Sequence, residues 1–432
     1  MAINLIATGQ GIPDTTFNTL LRTDNGGWVA GDATYSISLP DGRTIWLFGD
    51  SFIGSVNPDS SLAPGAHMIR NCALIQDEMV CSALYNGTFE EPEDFVSTLN
   101  PDSTWYWPEH GIVENDTLKI IFSEFGTGDG SPGWNFAYRN AWVVFFTYPE
   151  IELIKHVELP YYQQNGVMYG DRLMTFNDYT YIYGRKEENP DYHIPLVHLA
   201  RVETGNLLAD WEFYDGNYWM SDPELSGKIT DHAVSQQFGV FQHMDKFVMI
   251  TQEIWFGTKI YSLVANQPEG PWSNTTVLYD TPQPFSDMFT YNAYPHPQFD
   301  ENNELLISYN SNGDFWQIFN NVELYRPNFF RIPYTTIHPS FTPTGVYVWD
   351  EREMNIFSYP NPAMDNITFD IECIENKDIY IDIFNMYGTK VKQISSQLSN
   401  HENHKVKVDL SGFPVGLYIY KINGIKGKFL HK

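Results

Sequence analysis

Five carboxylates stand at the ends of short β-forming runs: Asp32, Asp50, Glu109, Glu124 and Asp171, with Trp28, Trp105 and Trp107 a few positions away. Paired carboxyls beside one glycosidic bond are what its cleavage requires, one protonating the leaving oxygen while the other activates water or attacks carbon. Crowded acids raise one another's pKa and leave a protonated acid beside an ionised base. Candidate catalytic residues are therefore Asp32, Asp50, Glu109 and Asp171. Asp32 is the expected base or nucleophile, since Gly31 before it leaves room for close approach. Glu109 is the expected general acid, desolvated by Trp107 and Pro108, while Asp171, opposite Arg185, would keep its charge and orient or tune the others. Aromatic platforms beside acids suit sugars, whose apolar faces stack while their hydroxyls hydrogen-bond. Substrate-binding candidates are Trp28, Trp107, Glu124, Arg185, Glu253, Asn292, His296 and Asn310; Trp105, Trp134, Trp255 and Trp316 also lie in or near strand-end segments. Taken singly, each acid could equally cap a turn, and many of the Trp could fill a core.

The elements that must position these residues repeat. Five segments share one grammar: a strand, a turn rich in Asp, Asn or Gly, and a second strand dense in Ile, Leu, Phe and Tyr. The turns fall at Asp41-Gly42, Glu114-Asn115-Asp116, Asn177-Asp178, Met244-Asp245 and Asp300 to Asn303. Each hairpin is followed by a stretch that supplies two more strands, as Val197 to Val202 and Trp211 to Tyr214 do. Four strands per unit, repeated five times at even spacing, predict a five-bladed β-propeller. Even spacing argues against a pair of β-sandwiches. Antiparallel pairing brings the start of the first strand and the end of the second to one rim. It predicts the rim pairs Asp32 with Asp50, Glu109 with Glu124, Asp171 with Arg185, Gln237 with Glu253, and His296 with Asn310.

Charge and composition exclude several classes of partner. Aromatic residues make up 16 % of the chain and charged ones 18 %, the balance of a turn-rich β protein. Residues 1–356 hold 46 acidic against 16 basic side chains, so they should repel nucleic acid and anionic membranes. No apolar run of spanning length occurs, so no transmembrane segment is expected. Met1 to Gln10 does not read as a signal peptide, so an export signal would have been removed beforehand. Cys72, Cys81 and Cys373 form no disulfide framework and no metal motif; Cys72 and Cys81 could face each other across a hairpin or be two buried thiols. No cofactor is called for, although the acidic rim could hold a structural divalent cation. Gly126 to Gly133 lacks the Lys and helix of a phosphate cradle and reads as a flexible loop.

Two resemblances add to this reading. Gly27-Trp28-Val29-Ala30-Gly31-Asp32, Trp46-Leu47-Phe48-Gly49-Asp50-Ser51, Pro268-Glu269-Gly270-Pro271-Trp272 and Tyr291-Asn292-Ala293 resemble an uncharacterised family of secreted bacterial propellers related to endo-D-arabinanase-like glycoside hydrolases. That resemblance implies action on a polysaccharide with acids at inner-strand ends, at Asp32 and Asp50 here. Phe357 to Asn366, Ile379 to Gly388 and Val408 to Tyr418 resemble the C-terminal sorting domain of type IX secretion cargo, which the export machinery recognises. Strand-turn-strand alternation independently predicts a small β-sandwich there. The expected organisation is a propeller over 1–345, a linker over 346–356 and a sorting domain over 357–432. The expected protein is a secreted or surface glycoside hydrolase of a Gram-negative bacterium acting on an arabinan-like or other complex glycan. The alternative is a non-catalytic glycan-binding propeller.

Overall fold

The computed structural model describes residues 11–22, 27–130, 135–188, 193–282, 287–342, 346–350, 354–373, 377–386, 389–398, 403–422 and 425–432. Trp134, Met1 to Gln10 and part of the Gly126 to Gly133 stretch lie outside them. The protein is all-β: among the described residues the longest helices, Thr15–Leu20 and Phe315–Asn320, have six residues. The chain divides into two compact units, Met1–Pro339 and Ser340–Lys432.

The first unit carries five antiparallel sheets of four or five strands. Sheet one holds Tyr35–Ser38, Thr44–Phe48, Cys72–Asp77 and Val80–Leu84. Sheet two holds Thr104–Glu114, Thr117–Thr127, Phe136–Thr147 and Leu153–Glu158. Sheet three begins with Met168–Phe176, Tyr179–Glu187 and Pro195–Glu203, and sheet four with Phe238–His243, Lys246–Gln252 and Lys259–Ala265. Sheet five holds Phe289–Pro295, Glu304–Asn312 and Asn328–Pro333, and its fourth strand is Ile12–Pro13 from the beginning of the unit.

Turn chemistry fixes the hairpins where the sequence places them. Asn115 and Asp116 adopt φ 52° and 53°, the left-handed pair that a two-residue hairpin loop needs, and Glu114 pairs with Thr117 across them. Phe176 pairs with Tyr179 and His243 with Lys246 across equally short loops. Each sheet then buries an apolar face on the next. Ile45 and Leu47 of sheet one share a cluster with Ile120 and Phe122 of sheet two. Ile121 of sheet two packs with Leu173 and Ile182 of sheet three, and Tyr183 of sheet three with Val240 and Met249 of sheet four. Tyr279, on the fourth strand of sheet four, Ser273–Asp280, stacks on Phe330 of sheet five at 4.2 Å, and Leu306 and Phe329 of sheet five join Trp46 and Leu74 of sheet one.

Cys72 and Cys81 are free and buried; Cys81 pairs in register with Gln76, so the two are not opposite each other. In the second unit two four-stranded sheets enclose one core, with Ile367, Phe369 and Ile371 in the same cluster as Ile379, Ile381 and Tyr420. Residues 346–356, read from the sequence as linker, contribute Val346–Asp350 and the start of Met354–Tyr359, which pair antiparallel in the first of these sheets. Their β-branched and aromatic residues favour a strand even where no turn signal closes the run.

Candidate active site

The first strand of sheet one is broken at Asp32. Trp28–Gly31 pairs with Ser51–Ile53, Tyr35–Ser38 pairs with Thr44–Phe48, and Ala33 and Thr34 between them lie at φ 72° and 60°. Gln237, reaching from sheet four, holds this break by donating from Nε2 to the Ala33 carbonyl at 2.5 Å. The break sets Asp32 against Asp50: the Asp32 N–H donates to the Asp50 carbonyl at 3.3 Å, and the Gly49 N–H donates to the Asp32 carbonyl at 3.1 Å. A Cβ on Gly49 would come within 2.5 Å of Asp32 Oδ1, so glycine there leaves the carboxyl its place.

Each acid of this pair has its own donors. Tyr291 donates its hydroxyl to Asp32 Oδ2 at 2.6 Å and accepts from Asn312 Nδ2 at 3.1 Å. Asp50 accepts from Trp107 Nε1 at 2.8 Å and from Arg70 Nη1 at 3.2 Å. Burial, and then the charge of Asp50, push Asp32 up to about 7 against the pull of the Tyr291 bond. Burial also raises Asp50, with Arg70 opposing it. The two carboxyls therefore titrate as a coupled pair, and protons leave the pair rather than one residue.

Glu109 and Asp171 belong to a second cluster. Both lie in bulges on the first strands of their sheets, between Pro108 and Gly111 and between Tyr169 and Arg172. Glu109 accepts from Tyr35 at 2.8 Å and from Ser123 at 2.8 Å, so both its oxygens are engaged. Asp171 forms an ion pair with Arg185, and its side chain has no exposed surface. Beside them Arg172 Nη1 bonds to His110 Nε2 at 2.6 Å and to the Tyr294 hydroxyl at 2.8 Å.

Several expected neighbours do not meet. Glu124 is bound by Thr104 at 2.6 Å and Trp142 at 2.6 Å, and it stands across from Tyr106, three residues before Glu109, so the two acids are not opposite each other. Gln237 bonds to Ala33 and not to Glu253. His296 is fully buried between Ser36, at 2.6 Å, and Ser308, at 2.8 Å, whereas Asn310 pairs in register with Tyr291 and bonds to Thr34. His296 ends its strand instead of starting it, so it and Asn310 sit at different heights. Trp28 is buried on Phe48 at 4.5 Å and fills the core. Trp107 faces Asp50 and not Glu109.

Next to the acid pair a cavity of about 270 Å³ opens between sheets three, four and five. Glu187, His193, Gln252, Glu253, Trp255, Phe256, Tyr291 and Asn292 line it. Tyr291 belongs to both places, one edge on the cavity and its hydroxyl on Asp32. Room for the Glu253 carboxyl comes from Gly257, where a Cβ would meet Oε2 at 2.5 Å. Tyr291, Arg70, Gln252 and Phe256 were not among the site residues named from the sequence, although Tyr291 belongs to one of the motifs quoted there. Tyr291 adjoins Asn292 and Phe256 adjoins Trp255, so aromatic neighbours of the residues named were the available signal. Among the described residues no three His, Cys, Asp or Glu side chains gather as metal ligands would, and no helix is long and apolar enough to cross a membrane.

Comparison with known proteins bears on fold and export. A putative hydrolase from Bacteroides ovatus is 22 % identical, with a TM-score of 0.64 over 76 % of this chain and 92 % of that one, a likeness in fold. An endo-arabinase from Bacteroides thetaiotaomicron matches at 11 % identity and a TM-score of 0.39, over 74 % and 96 % of the two chains. An exo-beta-1,3-galactanase from Clostridium thermocellum matches at 10 % identity and a TM-score of 0.42, over 98 % and 82 %. No curated protein matches the chain. Residues 358–432 match the secretion system C-terminal sorting domain, which directs type IX export to the cell surface or the extracellular space. Residues 14–349 match a domain of unknown function, DUF5005, and the chain belongs to that family.

Proposed function

We propose that the first unit is a closed five-bladed β-propeller and a glycoside hydrolase of a secreted or surface protein, with the second unit serving its export. Support for closure comes from the packing of each sheet on the next, the return of sheet five onto sheet one, and the N-terminal strand that completes sheet five. The observation that carries the activity is the Asp32–Asp50 pair opening through Tyr291 onto an aromatic cavity that holds another carboxylate, Glu253.

In this reading Asp32 is the base. A carboxyl held near 7 takes a proton from water far more readily than an ordinary aspartate, and it remains ionised in part at neutral pH. Asp50, braced by Arg70 and Trp107, supplies the charge that keeps Asp32 there. Glu253 replaces Glu109 as the acid: it stands on the cavity wall beside Tyr291, whereas both Glu109 oxygens already accept hydrogen bonds within the protein. Asp171 is a positioning residue held by Arg185. Of the substrate-binding candidates the cavity keeps two, Asn292 and Glu253, the latter now as the acid.

Reducing-sugar release from a panel of arabinans, arabinogalactans and other complex glycans tests this. Release by the native chain and none by Asp32→Asn supports the hydrolase. The burial of Asp171 and the engagement of Glu109 favour a second reading, a glycan-binding propeller, because they leave fewer free acids than catalysis could use. Retention of the native chain in a glycan-loaded gel with no release from any glycan would establish that reading instead.

A further inference from the structure

We propose that the cavity between sheets three, four and five is a subsite for a neutral sugar residue, seated by its apolar face on Trp255 and Phe256 and closed to uronates and other anionic sugars. This deepens the glycan reading above and rests on it. Trp255 is 65 % and Phe256 41 % exposed, so neither ring fills a core. Both residues adopt left-handed backbone, at φ 62° and 57°, a conformation that bulky side chains rarely take unless the surroundings impose it.

The surroundings do so here. The Gly257 N–H donates to the Ile254 carbonyl at 3.3 Å, the Glu253 N–H donates to the Lys259 carbonyl at 2.8 Å, and Gln252 Nε2 donates to the Gly257 carbonyl at 2.9 Å. The rings are braced as well, Trp255 edge-on to His193 at 5.5 Å and Phe256 against Phe289 at 4.2 Å. Two large rings held out of the core at conformational cost make a rigid shelf, and a rigid shelf is what stacking on a sugar face needs.

The hydrogen-bonding sense of the cavity selects the ligand. The acceptors on its walls are the carboxylates of Glu187 and Glu253, and an acceptor wants a hydroxyl, which can donate. A sugar carboxylate or sulfate cannot. Among the described residues no Lys or Arg lines the cavity to balance an anionic ligand. Behind Tyr291 lies the acid pair, which adds to the repulsion.

Binding is best measured on the Asp32→Asn protein, so that no turnover consumes the ligand. Isothermal titration calorimetry would follow titration with arabino-, galacto- and xylo-pentasaccharides and with an oligogalacturonide of equal length. At least one neutral oligosaccharide should bind, the oligogalacturonide should bind at least about tenfold more weakly, and Trp255→Ala or Phe256→Ala should weaken neutral binding about tenfold. Because both rings are exposed, unchanged circular dichroism should show that the variants fold. Equal affinity for the uronate, no neutral ligand at all, or no effect of either substitution would overturn the subsite. Binding that behaves as expected, without sugar release by the native chain, would remove the hydrolase and leave the subsite standing. Release that survives with binding indifferent to Trp255 would do the reverse.

Discussion

At the scale of residues, the Asp32–Asp50 pair makes the sharpest claims. A carboxyl with a folded pKa near 7, against 3.8 when unfolded, binds its proton more tightly in the folded chain. The stability it contributes is complete below about pH 4 and is lost as pH rises through 7. Asp32 keeps some exposed surface, so water relaxes part of this cost, and about 2 kcal/mol is a fair magnitude. Asp32→Asn should therefore raise unfolding free energy by about that amount at pH 8 and hardly at all at pH 4, as urea titrations at the two pH values would read. The same residue as base makes kcat/KM rise with pH through about 7. Glu253→Gln tests the acid: it should slow an oligosaccharide by roughly 100-fold or more and spare an aryl glycoside, whose leaving group needs no proton. Equal loss on both substrates would take the acid role away from Glu253.

The scale of elements explains what could be read from the sequence and what could not. Hairpins were legible because strand alternation and left-handed turn residues such as Asn115-Asp116 are local signals. Site geometry was less so, because bulges at Pro108/Gly111, Tyr169/Arg172 and Tyr291/Tyr294 each insert residues into the first strand. A bulge re-aims every side chain beyond it, and no single-residue pattern announces one. Trp28 and His296, read as rim residues, are core, because the strand ends they mark are covered by further chain. The Asp171–Arg185 pair, drawn correctly across one hairpin, is buried and therefore structural in weight. Asp171→Asn should destabilise the first unit by about 3–5 kcal/mol, since it strands a buried guanidinium. Replacing both residues with Leu and Met should cost much less, and thermal denaturation of the two variants would show the difference.

At the scale of the whole molecule, two units with separate cores should melt separately, and that separation can test closure of the larger one. In the first unit, Asp14 ties the beginning of the chain to sheet five: it caps Thr15–Leu20 by accepting from the Phe17 N–H at 2.8 Å and pairs with Arg331 at 2.6 Å. Arg331 in turn donates to the Phe299 carbonyl at 2.9 Å. Ile12–Pro13, just before Asp14, is the strand that completes sheet five. If the five sheets form a closed ring, this clasp joins its first and last elements, and weakening it should be felt by all five sheets together. Asp14→Ala forfeits a helix cap and a mostly buried ion pair, about 3–5 kcal/mol between them. In a calorimetric scan the transition of the first unit should move down as one cooperative peak, while that of the sorting domain stays in place. A peak that broadens or splits would mean that sheet five unfolds alone, which an open array permits and a closed ring does not.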